Sequence, residues 1–269
     1  MAVYTDVSFE DLDEMLVGYD VGTPLSFKGI AEGVENTNFY LQTDRGSYFL
    51  TLYEKRVQES DLPFFLGLME HLAARGIACP QPVRRRDGKQ WTHVLGRPAA
   101  LVSFLTGLSV RRPDIAHCAA AGDALGQLHE AGADFALRRS NALGMAGLRD
   151  LVDKTAASAD GIERGLRELI AMSYRDASAQ WPSGLPSGVI HADLFPDNVL
   201  FTNERVSGLI DFYFACNDAY AYDLATMLNA WCFESDGAYN ITKGKSLIAA
   251  YRKRRQLTEA EIAALPILS

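Results

Sequence analysis

Between Val189 and Asp223 the chain reads VIHADLFPDNVLFTNERVSGLIDFYFACNDAYAYD, which sets a His, several carboxylates and an Asn at spacings that phosphoryl transfer requires. His191-x-Asp193 precedes Asn198 by a short loop, and the apolar run Gly208-Leu209-Ile210 delivers Asp211 at the end of an expected strand. Such chemistry needs three parts. One carboxylate must sit against the acceptor hydroxyl and take or orient its proton, while an Asn and a second carboxylate hold the Mg²⁺ that bridges the nucleotide phosphates. Asp193, Asn198 and Asp211 fit those roles. Taken singly, each is also an ordinary turn former. Apolar, strand-like stretches flank both polar clusters, however, and strand ends are where a mixed sheet exposes catalytic side chains.

These residues need a scaffold, and the rest of the sequence predicts one in two parts. Ser8 to Gly18 predicts a short opening helix, with Ser8 as its cap and acidic residues in its first turn. Strands are expected at Leu25 to Ile30, Asn38 to Thr43 and Tyr48 to Tyr53, with Asp44-Arg45-Gly46 as a hairpin turn. A helix follows from about Ser60, with Pro63 in its first turn, to Gly76; its apolar stripe is Leu62, Phe65, Leu66, Met69 and Leu72. Gly76 to Pro82 reads as an extended linker, and Pro98 to Leu105 as a further strand leading into Thr106-Gly107, where a hinge would fit. Helical periodicity then prevails from about Pro113 to Gly132 and from about Leu148 to Ala179, with two more helices near Asp223 to Phe233 and Thr242 to Arg255. The expected fold class is α+β, with a strand-rich N-terminal lobe over residues 1–105 and a helical C-terminal lobe over residues 106–269.

A chain of 269 residues can bury a substantial core in one large domain or two lobes. Its net charge is −8, from 26 Lys plus Arg against 34 Asp plus Glu, and such a surface repels a polyanion. No nucleic-acid partner is expected. The basic runs Arg84-Arg85-Arg86 and Arg252-Lys253-Arg254-Arg255 read as solvated charge beside a turn and near a helix end. The acidic start lacks the basic-then-apolar pattern of a secretory leader, and no stretch is apolar enough to span a bilayer, so the expectation is a cytoplasmic protein with no membrane partner. Cys79, Cys118, Cys216 and Cys232 are scattered without a CxxC pair, which indicates neither a zinc site nor a disulfide framework.

A phosphate cradle is the remaining requirement. Gly29-Ile-Ala-Glu-Gly33-Val-Glu-Asn36 lies between the first two expected strands, and its glycines would let backbone N–H groups approach an anion. The spacing is not GxGxxG, and a Gly-containing hairpin loop would read the same way; its context favours the cradle. Gly244-Lys245-Ser246 looks like the end of a Walker A loop, but the first Gly of that motif falls on Tyr239 and no strand precedes it.

With these residues in place the chain resembles the aminoglycoside phosphotransferase and choline kinase-like superfamily, and within it the homoserine kinase branch. The resemblance rests on LSFKGIAEGVENTNFYL, YFLTLYEKR and DLPFFLGLMEHLAARGIACPQPV, and most specifically on GVIHADLFPDNVLF and GLIDFYFACNDAYAYDLA, so that it covers most of the chain. It implies a protein kinase-like two-lobed fold, ATP and Mg²⁺ as cosubstrates, Asp193 as catalytic base, Asn198 and Asp211 as metal ligands, and Asp223 as a brace of the catalytic loop. His191 then reads as a scaffold of that loop, with proton transfer the minor alternative. Backbone groups from about Ser103 to Leu105 would meet adenine at the lobe junction. The implied acceptor is the side-chain hydroxyl of L-homoserine, in threonine biosynthesis.

Only eleven residues separate Asp211 from Asp223, too few for a regulatory activation loop, and Asp211-Phe-Tyr replaces Asp-Phe-Gly. A small-molecule acceptor is therefore expected. The third strand of related kinases carries a Lys or Arg for the phosphates, whereas Phe49-Leu50-Thr51-Leu52 places Thr51 there. Phe64 and Phe65 stand where the partner acid would be, a coherent paired loss because one ion of a broken pair is costly to keep. Lys28, Lys55 and the loop N–H groups become the candidates for phosphate charge. Asp197, Asp218 and Glu234 are candidates for an acceptor ammonium, and no Arg announces itself for a carboxylate. Thr258-x-x-Glu261 predicts a capped helix, after which related homoserine kinases continue with further helices, so the resemblance implies a shortened second lobe. Two alternatives stay open: another hydroxylated substrate such as an aminoglycoside, choline or an amino alcohol, or a catalytically impaired nucleotide-binding protein.

Overall fold

The computed structural model of the chain describes residues 4–31, 36–55 and 57–269. In chain order its elements are α1 (Phe9–Leu16), β1 (Pro24–Ile30), β2 (Thr37–Thr43), β3 (Gly46–Leu52), α2 (Leu62–Ala74), β4 (Thr92–Val94), β5 (Arg97–Ser103), α3 (Ile115–Ala131), α4 (Met145–Ala159), α5 (Leu166–Gln180), β6 (Ser187–Ile190), β7 (Val199–Thr202), β8 (Arg205–Leu209), β9 (Cys216–Ala219), α6 (Tyr220–Trp231), α7 (Ile241–Tyr251) and α8 (Glu259–Leu268). They fall into two compact units, Met1–Ser109 with Val199–Tyr213, and Val110–Asn198 with Phe214–Ser269.

The first unit is built on a five-stranded antiparallel sheet in the order β1-β2-β3-β5-β4. Thr43 pairs with Gly46, so Asp44-Arg45 closes β2 on β3 as a two-residue turn, and the Asp44 carboxylate accepts the Thr23 N–H at 2.9 Å. Ser8 and Asp11 form a reciprocal capping box at the start of α1, which ends at Leu16, short of the expected Gly18. Alternation in β2 and β3 turns Leu41, Leu50 and Leu52 inward, onto Leu12 of α1 and Leu101 of β5. Strand β4 was not expected from the sequence: three residues are too few to show alternation. Leu95 and Gly96, at φ 50° and 78°, supply the two positive-φ positions that its turn into β5 requires. The β7–β8 hairpin also belongs to this unit. Leu108 and Phe201 exchange backbone hydrogen bonds, Ser207 Oγ donates to Thr106 O at 2.8 Å, and the Leu209 N–H donates to Ala78 O at 2.8 Å.

The second unit is helical apart from the short β6–β9 ladder, which pairs Ile190 with Cys216. The single helical stretch expected from Leu148 to Ala179 is two helices. Gly165 takes φ 88°, and the Asp160 carboxylate accepts the N–H groups of Gly165 and Arg167, closing the turn between α4 and α5. Helices α3 and α7 pack unusually close. A Cβ built on Gly122 would lie 2.3 Å from Leu247 O, and one on Gly126 would lie 2.7 Å from Arg254 Cβ. Glycines one turn apart thus let α3 lie directly on the α7 backbone. All four cysteines are buried and free, and among the described residues no helix is long and apolar enough to cross a membrane.

Because the atom facing Gly122 is a backbone carbonyl that no rotamer change can move aside, Gly122→Ala is expected to destabilise the chain by about 1–3 kcal/mol. Urea unfolding should show a lower midpoint at unchanged slope. An unchanged midpoint would mean that α7 can shift away from α3 without cost.

Candidate active site

In the second unit the chain leaves β6 at Ile190 and enters a loop whose backbone is captured by one buried carboxylate. Asp223, in the first turn of α6, is wholly buried; its Oδ2 accepts the His191 N–H at 2.8 Å and its Oδ1 the Ala192 N–H at 2.9 Å. Both carboxylate oxygens are thus committed to consecutive amides. Ala192 takes φ 64°, a left-handed conformation that a residue with a Cβ rarely adopts without being held. Strain of this kind concentrates where a side chain must be aimed, and the next residue is Asp193. The loop has two more anchors: His191 Nδ1 accepts the Asp193 N–H at 3.3 Å, and Trp231 Nε1 donates to Leu194 O at 2.8 Å. His191 is wholly buried, which suits a scaffold rather than a group that exchanges protons with substrate.

Asn198 then fixes the Asp193 side chain. Its Nδ2 donates to Asp193 O at 2.7 Å and to Asp193 Oδ2 at 3.0 Å. Only the nitrogen end of an amide can face two acceptor oxygens, so Asn198 Oδ1 is turned away from Asp193 as a hard donor suited to a cation.

Asp223 is itself supported from below. His129 Nε2 donates to Asp223 Oδ2 at 3.0 Å, and His129 Nδ1 lies 2.8 Å from the Tyr251 hydroxyl. Burial works to raise the Asp223 carboxyl, but the His129 hydrogen bond, the nearby imidazoles and the His191 N–H together hold it below the ordinary carboxylate value. Burial is also the largest influence on His129, and it lowers the imidazole despite the adjacent carboxylate. The pair is therefore a neutral His beneath an ionised Asp. Sequence reasoning assigned Asp223 its bracing role and missed His129, Trp231 and Tyr251. The only signal for His129 was one polar residue on the otherwise apolar face of α3.

The remaining predicted metal, phosphate and adenine residues lie in the first unit. Asp211, predicted as a metal ligand, follows β8, is exposed and takes φ 63°, a left-handed conformation like that of Ala192. Beside it runs a directed chain of hydroxyls: Tyr53 donates to Tyr213 at 3.1 Å, Tyr213 bonds to Thr51, and Thr51 Oγ1 donates to Asn38 Oδ1 at 2.8 Å. Burial raises both phenols, Tyr213 to about 12, so they stay neutral. Phe64 and Phe65 are buried, and the Phe65 ring stands edge-on to Tyr213 at 5.7 Å. Where related kinases hold an ion pair, this chain packs hydroxyls and rings.

Lys28 is exposed on β1, and Lys55 is exposed just after β3, with Nζ 5.5 Å from the centre of the Tyr4 ring. Gly29 lies inside β1, paired with Phe39, rather than in a loop. Asn36 is buried and its Oδ1 has no hydrogen-bond partner among the described residues, while Gly33 falls outside them. Ser103 ends β5; its N–H goes to Gln81 O and the Phe104 N–H to Ser47 O, so Leu105 carries the next amide. Of the candidate ammonium ligands, Glu234 is already paired with Lys243 at 2.8 Å, and Asp218 accepts from Asn141 at 2.7 Å, whereas Asp197 is exposed. Among the described residues no group of three or more His, Cys, Asp or Glu could hold a metal. Asn198 Oδ1 in the second unit and the Asp211 carboxylate in the first are each hard oxygen donors of the kind Mg²⁺ takes.

The sequence profile of the phosphotransferase enzyme family matches residues 26–257. The chain is 60% identical over 269 residues to a homoserine kinase of Xanthobacter autotrophicus, covering all of this chain and 84% of that protein. It is 59% identical to a homoserine kinase of Rhizobium johnstonii, with the same coverage. Among solved structures, an amicoumacin kinase crystallised with AMP-PNP, Ca²⁺ and amicoumacin superposes with a TM-score of 0.77 at 14% identity, over 97% of this chain and 82% of that one. The fold is thus that of the protein kinase-like phosphotransferases.

Both members of the His129–Asp223 pair have folded-state values below their ordinary ones, 6.5 and 3.8. A lowered value stabilises the fold above the unfolded-state value and loses that contribution as pH falls toward the folded one. Unfolding free energy should therefore decline once pH drops below 6.5, as unfolded His129 binds a proton that the folded chain refuses. Urea midpoints measured from about pH 7.5 to about pH 5 should show this decline, and His129→Gln should flatten it. An equally steep decline in that variant would assign the effect to other groups.

Proposed function

The chain belongs to the phosphotransferase enzyme family, and we propose that it transfers the γ-phosphoryl group of ATP to the side-chain hydroxyl of L-homoserine, giving O-phospho-L-homoserine and ADP. The observation that carries the substrate is identity of three residues in five with homoserine kinases along the entire chain. The reaction would serve threonine biosynthesis, and its use of ATP argues for the cytoplasm.

In the reaction the acceptor oxygen attacks the γ-phosphorus, the bond from that phosphorus to the β–γ bridging oxygen breaks, and the hydroxyl proton passes toward Asp193. Transfer of this type gains most of its rate from positioning. That requirement explains why Asp193 is held through its N–H by His191 and through its side chain by Asn198. Asn198 Oδ1 and the Asp211 carboxylate are the groups that would hold Mg²⁺, which when bound neutralises triphosphate charge. Thr51 is neutral and engaged with Asn38, so phosphate charge falls to Lys55 and Lys28. With the Ser103 and Phe104 amides already bonded, the Leu105 N–H is the donor left to meet adenine. Asp197 is the carboxylate best placed by its free exposure to meet the acceptor's ammonium.

Asp193→Asn should lower turnover by about 10²–10⁴-fold while ATP affinity changes little, since the lost group acts on the acceptor. Retention of more than about a tenth of the parent turnover would remove Asp193 from the base role. In a panel with ATP, L-homoserine should be preferred over L-serine by more than about tenfold, because a pocket sized for one more methylene gains roughly 1–3 kcal/mol from filling it. Choline and kanamycin belong in the same panel, and equal turnover of either would overturn the acceptor while leaving the kinase reading intact.

A further inference from the structure

Beneath Asp223, the buried polar groups of the second unit form one directed line that reaches the C-terminal helices. Glu261, wholly buried at the start of α8, accepts the Thr258 N–H at 2.9 Å with Oε2 and stands with Oε1 2.8 Å from Arg255. The Arg255 guanidinium lies 4.4 Å over the Tyr220 ring, and its Nη1 donates to the Tyr251 oxygen at 3.2 Å. Tyr251 meets His129 Nδ1, and His129 Nε2 meets Asp223, whose other bonds come from the catalytic-loop amides.

The donor and acceptor inventory leaves this line a single direction. Arg can only donate, so the Tyr251 oxygen receives from Arg255 and its own proton remains for His129. Asp223 is ionised and can only accept, so the ring proton of His129 sits on Nε2, facing the carboxylate, and Nδ1 is bare to receive the Tyr251 proton. The other tautomer would set a bare Nε2 lone pair against Asp223 Oδ2 and an N–H against a hydroxyl already receiving from Arg255. In a buried site such unmatched groups are costly.

We infer that Tyr251 and Arg255 are positioning residues for phosphoryl transfer, acting by fixing the His129 ring through Nδ1 in the position from which Nε2–H holds Asp223 and thereby the His191–Asp193 backbone. Neither residue touches the reacting atoms. The inference rests on the reading of Asp193 as catalytic base, and its effect is on rate rather than substrate affinity. Without the Tyr251 hydroxyl, the buried Nδ1 lone pair of His129 has lost its donor and the ring is held through Nε2 alone, and the strained Ala192 conformation loses part of what enforces it.

The test is nitrogen and carbon NMR of the His side chains in the full chain at neutral pH, together with kinetics of Tyr251→Phe. The parent should show His129 as the neutral Nε2–H tautomer. Tyr251→Phe should keep the Nε2–H tautomer, shift the Nδ1 resonance as its hydrogen bond is lost, and show a kcat lower on the order of tenfold to a hundredfold, the scale of a small displacement of the reacting groups. Michaelis constants for ATP and L-homoserine should stay within about twofold. Observation of His129 as Nδ1–H or imidazolium in the parent would overturn the inference without recourse to any variant, and so would a Tyr251→Phe kcat within about twofold of the parent. The tautomer is read without turnover, so a failure of this inference and a failure of the Asp193 assignment are distinguishable.

Discussion

The second unit depends on one buried carboxylate. Asp223 has no contact with solvent, and its two oxygens accept the His191 and Ala192 amides and the His129 imidazole. An ion in that position is tolerable only if every lone pair it presents is matched, since desolvation alone would favour the neutral acid. Much of the local architecture can be understood as supplying those matches. Helix α3 brings the imidazole, the end of β6 brings the two amides, and the closeness of α3 to α7, permitted by Gly122 and Gly126, brings Tyr251 within reach of His129. The carboxylate in return holds Ala192 in a conformation that it would not keep alone.

The first unit solves its electrostatic problem in the opposite way. The resemblance to related kinases puts a cation at the strand position of Thr51, which instead bonds to Asn38 and Tyr213, while Tyr213 in turn meets the Tyr53 hydroxyl and the Phe65 ring. A lone Lys in that setting would be an uncompensated charge, and a lone Glu on α2 would be equally so. Both are absent. What remains is neutral and directional from Tyr53 to Asn38, and the ion pair of this sheet lies elsewhere, between Arg97 and the buried Glu54 at 3.3 Å.

The parts of this structure that were legible in the sequence are those set by short-range chemistry. The β2–β3 turn at Asp44-Arg45, the Ser8 and Thr258 capping boxes and the apolar stripe of α2 each follow from residues within a few positions of one another. The Asp193–Asn198 loop was legible for the same reason: its donors and acceptors are five residues apart. Strand β4 was too short to show a pattern, and the break between α4 and α5 turns on Gly165 rather than on any loss of helical periodicity. His129, Trp231 and Tyr251 were not legible, because their partners lie 94, 37 and 122 residues away. A histidine on a buried helix face shows that it must find a partner, and only the tertiary structure shows which.

The Tyr251–His129 bond has a consequence for the order in which this protein becomes itself. It closes a chain segment of 122 residues, the sort of contact whose entropic cost is met only after intervening structure has formed. While the polypeptide is being made, β6 and the Asp193 loop emerge well before α7. Until residue 251 follows, the imidazole beneath Asp223 lacks its second partner, and the nascent enzyme has its reactive residues but not their aim.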